Sequence, residues 1–393
     1  MRILHVAYIY PPELRVADGI TNVVFNVTKE LARRGHQVSV YTSDMLDLHG
    51  NNSLRANHLV INGVDVYYSR SVLRSKTFIV TPSMISLLSK NIDNFDIVHI
   101  HDARSFQGIS TYLFAKMKNV SYVFQPHGSY LSSMSISDLP TKRIAKIVLD
   151  KFVSGKIVQN ASKIIALSQA ETREYMDVGI SQKKIAIIPN GIDLSEYADL
   201  PSNGVFRKKF GIDDEKIVLY LGRIHRIKGV DILVRAFANI VEKMDDAKLV
   251  VAGPDDGYLG ELESLIRALK IEDNVLISGP LYGRDKLEAY VDAEVYVLPS
   301  RYETFPMSIL EALACGTPII LTENCGINEY FRSKVGLAVK PDPDALSGAL
   351  LEMLLNEQQM STFRQNCRTI VEAFSISRTV SKLERAYEDA TYH

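Results

Sequence analysis

The chain has no tryptophan and only three cysteines, Cys315, Cys325 and Cys367, among its 393 residues. An odd cysteine count without a Cys-x-x-Cys pair argues against a disulfide framework and against a thiolate zinc site, and it suits a reducing compartment. None of the nine histidines falls in a His-Glu-x-x-His pattern. No run approaches the ~18 uninterrupted apolar residues that a membrane-spanning helix needs. The opening "MRILHVAYIYPP" is a short apolar run interrupted by His5, with no small-residue cleavage site. It reads as a first β-strand and not as a leader, so a cytoplasmic location is expected. The formal charge of −1 supplies no global field toward nucleic acid or an anionic membrane, and no nucleic-acid partner is expected.

What is present is ordinary globular composition, 46% hydrophobic and 23% charged. A single core stops growing at roughly 250–300 residues, so the length implies two domains. Short apolar runs at 2–8, 38–42, 64–68, 96–100, 121–125, 163–168 and 185–189 read as strands. A second series lies at 217–222, 248–253, 274–279, 295–300, 318–322 and 336–339. Most are too continuously apolar for a sheet with one wet face, which is the pattern of parallel strands covered on both sides. Helical periodicity fills gaps between them, as in "TNVVFNVTKELARRGHQ", where Gly35 stops the helix. The expected fold class is α/β, with two Rossmann-like doubly wound domains facing a central cleft. The Pro, Ser, Asn and Gly of 199–204 place the expected join there. That gives domains 1–198 and 199–372, followed by a C-terminal helical stretch, 373–393.

In such folds ligands sit at the carboxyl ends of strands, so the loops there matter most. After the first strand, Asp18-Gly19 precedes a helix, where free backbone N–H groups suit a phosphate; a plain turn is the alternative. His127 and Gly128 follow a strand directly. His127 suits a sugar hydroxyl or a leaving group, although a lone histidine is more often structural. Arg223 and Lys228 leave another strand end and suit a pyrophosphate, or are two solvated cations. The most informative stretch is "RYETFPMSILEALACGTPII" (301–320). Glu303 lies in the loop after a strand, Pro306 at the first turn of a helix, and Glu311 one turn further in. The backbone N–H groups of Met307 and Ser308 are then free for an anion, and a carboxylate suits vicinal hydroxyls. Gly316 and Pro318 end the helix.

Together these segments resemble glycosyltransferase family 4, the retaining enzymes of GT-B fold. The resemblance rests on "YPPELRVADGI…LARRGHQVSV", "DIVHIHD", "PHGS", "IIPNGID", "LGRIHRIKG" and "PSRYETFPMSILEALACGTPII". It covers nearly the whole chain, and the Glu-x7-Glu region is its most specific part. The family often has Gly-Gly where this chain has Asp18-Gly19, and Gly where it has Pro306. The resemblance implies a role for each residue. Gly19 approaches the distal phosphate of the donor, and Arg223 and Lys228 neutralise its diphosphate. His127 lies near the donor sugar and the reacting centre. Glu303 holds hydroxyls of the transferred sugar, with Phe305, Pro306 and Met307 supplying backbone contacts, and Glu311 binds the ribose. Leu281 and Tyr282 lie near the nucleobase, and the C-terminal helix crosses back to the first domain.

The implied activity moves a hexose or N-acetylhexosamine from a nucleotide-diphosphate sugar, UDP- or GDP-linked, to a glycan or lipid-linked acceptor. No cofactor or metal is expected, because no strand end carries a metal-holding Asp-x-Asp and the "PDPD" of 341–344 reads as a turn and helix start. An epimerase of the same fold and a non-catalytic two-domain sugar-binding protein remain the alternatives. The basic, apolar stretch 141–160 admits two readings, contact with the inner leaflet of a membrane or a solvated helix with one core-facing side.

Overall fold

A computed structural model describes residues 1–10, 19–46, 53–74, 78–102, 104–128 and 154–391. The chain forms two compact units, Met1–Gly191 with Ile376–His393, and Ile192–Ser375.

Among the described residues the first unit has ten strands: β1 (Arg2–Val6), β2 (Gln37–Ser43), β3 (His58–Ile61), β4 (Val64–Ser69), β5 (Leu73–Arg74), β6 (Ile79–Val80), β7 (Ile97–Ile100), β8 (Tyr122–Phe124), β9 (Lys163–Ala166) and β10 (Ile185–Ile187). Eight of them form one sheet in the order β10-β9-β8-β7-β1-β2-β4-β3, parallel except where the edge strand β3 meets β4. Its helices are α1 (Gly19–Arg33), α2 (Pro82–Asn91), α3 (Phe106–Lys118), α4 (Gly155–Asn160) and α5 (Gln169–Asp177). One face of the sheet carries Leu4, Val6, Val98, Ile100 and Phe124, all in a single apolar core.

The second unit has six parallel strands: β11 (Lys216–Leu221), β12 (Ala247–Ala252), β13 (Val275–Gly279), β14 (Val295–Leu298), β15 (Ile319–Thr322) and β16 (Gly336–Val339). Their order is β13-β12-β11-β14-β15-β16. The helices that follow in the chain are α6 (Val205–Phe210), α7 (Val230–Val241), α8 (Leu259–Leu269), α9 (Gly283–Asp292), α10 (Met307–Ala314), α11 (Asn328–Phe331), α12 (Pro343–Leu355) and α13 (Glu357–Val371), with α14 (Ile376–Thr391) returning to the first unit. Helix α7 shows why these segments are helical. Val230, Leu233, Val234 and Phe237 recur at i, i+3, i+4 and i+7, and all are fully buried on the sheet. Truncating a buried side chain such as Phe237 to alanine costs roughly 3–5 kcal/mol.

The boundary differs from the sequence expectation for a local reason. Ile192 donates its N–H to Phe374 O at 2.9 Å, and Asp193 caps the short turn Leu194–Tyr197. These contacts tie 192–198 to the second unit, so the division falls at Gly191/Ile192 and Ser375/Ile376. The turn-rich 199–204 leads into α6 instead, with Gly204 N–H donating to Asp292 Oδ1 at 2.6 Å.

Candidate functional site

Each of the two large sheets has one place where strand order reverses. In the first unit the strands after β1 run outward on one side and β7 begins the other, so the reversal lies between β1 and β7. In the second unit it lies between β11 and β14. Loops leaving adjacent strands part at such a point and open a crevice at the carboxyl ends.

The second unit sets Arg223 and Lys228 on the loop after β11 and Glu303 on the loop after β14. Two glycines let these loops close up. Gly229 is left-handed at φ +67, and a Cβ there would lie 2.0 Å from Pro299 O. Gly253 abuts the backbone of Gly222, with a Cβ position only 1.8 Å from its carbonyl. No other residue fits such approaches. The result is a direct ion pair between Lys228 Nζ and Glu303 Oε2, both largely buried. The Glu303 backbone is fixed in turn: its carbonyl accepts from Gly326 N–H at 2.8 Å. Arg223 pairs with Asp256 at 2.5 Å, and its carbonyl accepts from the Tyr220 hydroxyl at 2.7 Å. The neighbouring Arg301 grips Asp231 through two bonds of 2.7 and 2.6 Å, which pins the start of the Glu303 loop to α7.

Helix α10 begins at Met307, so Pro306 is its N-cap residue and lies one position before the expected first turn. Its ψ of 122 is extended, and Met307 and Ser308 are the first helical residues, whose N–H groups have no acceptor within the helix. The Tyr296 hydroxyl lies 2.8 Å from Ser308 Oγ and 3.1 Å from Leu221 O, joining this helix start to the end of β11. One turn on, Glu311 accepts from Lys286 Nζ at 2.8 Å and from the Tyr290 hydroxyl at 3.2 Å. Burial opposes the Lys286 ammonium, yet the Glu311 charge outweighs it and holds the group above its ordinary value. Phe305 is buried against Phe374, so its side chain packs. Leu281 is buried and Tyr282 half exposed at the start of α9.

Gly19 and His127 belong to the first unit. Gly19 opens α1, and a Cβ there would meet nothing within 4 Å, so packing does not demand glycine at this position. Asp18 lies outside the described residues. His127 adopts φ 51, a left-handed conformation that is uncommon for a side chain of its size.

Sequence reasoning missed what stands behind His127. Pairing of β1 with β7 puts His5 beside His99, and His101 follows two residues later on the same face. His5 Nδ1 lies 2.8 Å from His101 Nε2, and His101 Nδ1 lies 2.9 Å from His127 Nε2. His99 stacks on His101 with ring centres 4.1 Å apart and meets the Tyr387 hydroxyl of α14 at 2.7 Å. Burial pushes His5 and His127 down to about 3 and holds His99 and His101 well below the usual imidazole range, so all four are neutral near pH 7. Glu171 on α5 is buried as well. It accepts from Leu167 N–H at 2.7 Å and from the backbone of Gly128, and burial raises it to about 7. The nitrogens of His5, His99 and His101 lie within 4.8 Å of one another. A metal needs converging lone pairs. Here His5 Nδ1 and His101 Nε2 bond to each other, and His99 Nδ1 bonds to Tyr387, so those three nitrogens are committed to hydrogen bonds.

Comparison with known proteins decides the family. Residues 17–196 match the model of Glycosyltransferase Family 4, and residues 203–370 match that of glycosyl transferases group 1. The chain belongs to glycosyltransferase family 4. It is 29% identical over 360 residues to an uncharacterized glycosyltransferase of Methanocaldococcus jannaschii, covering 88% of this chain and 87% of the relative. It is 27% identical to the D-inositol 3-phosphate glycosyltransferase of Kineococcus radiotolerans, covering 81% and 75%. The structure of HepE from Anabaena in complex with UDP superposes with a TM-score of 0.76 at 18% identity, covering 98% of this chain and 99% of that one. HepE has also been crystallised with UDP-glucose. The fold of this glycosyltransferase is GT-B.

In this frame Glu303, Glu311, Arg223, Lys228 and the start of α10 all lie at the reversal point of the second sheet. Of the 141–160 stretch, only 154–160 is described, and there α4 buries Ile157 and Val158 in the core of the first unit. No helix among the described residues is long and apolar enough to cross a membrane.

Proposed function

We propose that this chain is a metal-independent, retaining hexosyl- or N-acetylhexosaminyltransferase that uses a UDP- or GDP-sugar. The observation that carries this reading is the Lys228–Glu303 pair at the reversal point, with Arg223 on the same loop as Lys228 and the α10 N-terminus beside it. A departing nucleoside diphosphate gains negative charge while the sugar ring becomes positive. Arg223, Lys228 and the free N–H groups of α10 meet the first, in the role a metal plays elsewhere. Glu303 meets the second and holds sugar hydroxyls, and it is a positioning group and not a nucleophile. The acceptor hydroxyl attacks the anomeric carbon from the face the diphosphate leaves. One C–O bond breaks, another forms, and the hydroxyl proton passes to the departing phosphate oxygen. Glu311, held by Lys286 and Tyr290, keeps lone pairs for the two ribose hydroxyls. The HepE complexes favour a uridine nucleotide as the first donor to test.

The first unit, with His127, takes a glycan or lipid-linked acceptor. Enzyme on the cytoplasmic membrane face would bind anionic liposomes at low salt, and no binding there removes that location. The decisive experiment incubates the protein without metal against UDP-, GDP- and ADP-sugars and measures diphosphate release, with Glu303→Ala as control. Release from one donor, lost in the variant, supports the reading. No release from any donor, with no thermal shift by any nucleotide, overturns it.

A further inference from the structure

We propose that His5 and His101 are positioning residues that act through His127, fixing it as the neutral tautomer that carries its proton on Nδ1. The proposal rests on the reading above that His127 takes part in glycosyl transfer, and it adds to that reading two residues and a defined proton position.

The geometry is a straight chain. Ring centres are 5.1 Å apart from His5 to His101 and 5.2 Å from His101 to His127, with interplanar angles of 19° and 21°. Together with nitrogen separations of 2.8 and 2.9 Å, this places three nearly coplanar imidazoles edge to edge. All three are neutral, so each has one N–H and one lone pair. Only two arrangements satisfy both bonds, and in each the three protons point the same way along the chain.

The ends choose between them. His5 Nε2 and His127 Nδ1 are buried and have no hydrogen-bond partner among the described residues. His5 is fully buried within the sheet, on strand β1. Either register leaves one N–H bare, at His5 Nε2 or at His127 Nδ1; His127 lies in a loop and is only partly buried, so a bare donor there can reach an acceptor that one inside the sheet cannot. The favoured register therefore has His5 Nδ1–H donating to His101 Nε2 and His101 Nδ1–H donating to His127 Nε2. His127 Nδ1 then bears a proton with no acceptor among the described residues. A covered N–H on the loop that leaves the carboxyl end of β8, one strand from the reversal, is where a substrate oxygen completes the bond.

Burial keeps this chain neutral, and the groups that face it do not oppose that. His99 stacks on His101, Tyr387 contributes an uncharged hydroxyl and Gln125 an uncharged amide to His99, and Glu171 accepts from the backbone N–H of Gly128. None of these contacts places a carboxylate against the chain, as it would need to be to draw a second proton onto it.

The test uses the full chain with 15N-labelled histidine. Long-range proton–nitrogen spectra distinguish the two neutral tautomers, and loss of a signal in His127→Gln assigns that residue. His127 is expected as a single Nδ1–H tautomer that resists protonation down to about pH 5, well below the ~6.5 of a free imidazole. The Nε2–H form, or an even mixture, overturns the proposal without requiring any variant to fold. With a donor identified, His101→Leu should lower kcat about ten- to a hundredfold, as loss of an outer group that orients a functional imidazole does. The donor KM should stay put, His101→Gln should recover part of the rate, and a new acid limb near ~6.5 should appear in kcat. A His101→Leu enzyme with the normal rate and pH profile, beside an impaired His127→Gln, sinks the relay and leaves the transferase reading standing. If no nucleotide-sugar is turned over, the transferase reading falls, and the spectrum still decides the tautomer.

Discussion

The two units place polar groups at equivalent points of two similar sheets and treat them in opposite ways. At the reversal between β1 and β7 three imidazoles are buried, a fourth, His127, adjoins them from the loop after β8, and desolvation strips all four of charge. At the reversal between β11 and β14, the groups are matched as ions: Lys228 with Glu303, Arg223 with Asp256, Lys286 with Glu311. A neutral hydrogen-bonded chain fixes directions and costs little electrostatically. A set of ion pairs stores charge that a ligand can claim by replacing one partner. The second arrangement suits an anionic diphosphate, and the first suits an uncharged hydroxyl.

Acid should break the comparison most sharply. Each buried histidine has a folded-state pKa below its ordinary ~6.5, so the unfolded chain takes up protons that the folded one refuses, at about 1.4 kcal/mol per pH unit for each. That stability is complete above ~6.5 and is lost as pH falls toward the folded values. Glu171 works the other way by one proton. Raised to about 7, it is protonated when folded in the window where an ordinary carboxyl is ionised, so it offsets one histidine. The melting temperature should therefore drop steeply between pH 6.5 and 5, with the loss reported by probes in the first unit. A flat profile would mean the histidines are not held neutral.

Next in size is Glu303→Ala, expected to lower turnover about a hundredfold or more, the scale of removing a group that meets transition-state charge. Affinity for the free nucleotide should survive, and unchanged transfer would remove Glu303 from the site. Arg223→Ala and Lys228→Ala should each weaken nucleoside diphosphate binding about tenfold by calorimetric titration, the value of one charge-assisted hydrogen bond. The weakening should shrink at high salt, and equal affinity in either variant would show that its cation does not meet the phosphates. The smallest effect is expected of Tyr282→Ala. Its half-exposed ring can offer a base about 1 kcal/mol of stacking, so a few-fold loss of nucleotide affinity with an unchanged melting temperature would support its place there.

Much of this was readable along the chain. All thirteen strands expected from apolar runs are present, because strands covered on both faces must be apolar throughout. β3, β5 and β6 were not legible: one is an edge strand of alternating exposure and two are two residues long. Helices α2, α3, α5, α6, α11 and α13 were passed over too; α6 and α11 are only a few residues long, and in α2 and α3 no broad apolar stripe stands out. Glu303, Glu311, Arg223 and Lys228 could be found because each follows a strand end. Their partners could not. Nothing local in "GRDKLEAY" distinguishes Lys286 from a solvated lysine, and Asp256 reads as part of a turn. His5 registered only as an interruption of an apolar run, although His99 within a buried strand and His101 just past its end, at alternate positions, were a usable signal.

The sequence by itself determined where strands, helices and loops fall, and which loops carry the polar residues. Periodicity, proline and glycine act over a few residues and need no knowledge of the rest of the chain. Only the tertiary structure decided which cation neutralises which carboxylate and which imidazoles line up. Those outcomes depend on strand order and register across separations of 25 to 96 residues, as from Lys286 to Glu311 and from His5 to His101. It also decided charge state, because desolvation depends on what packs over a group and not on its neighbours in the chain.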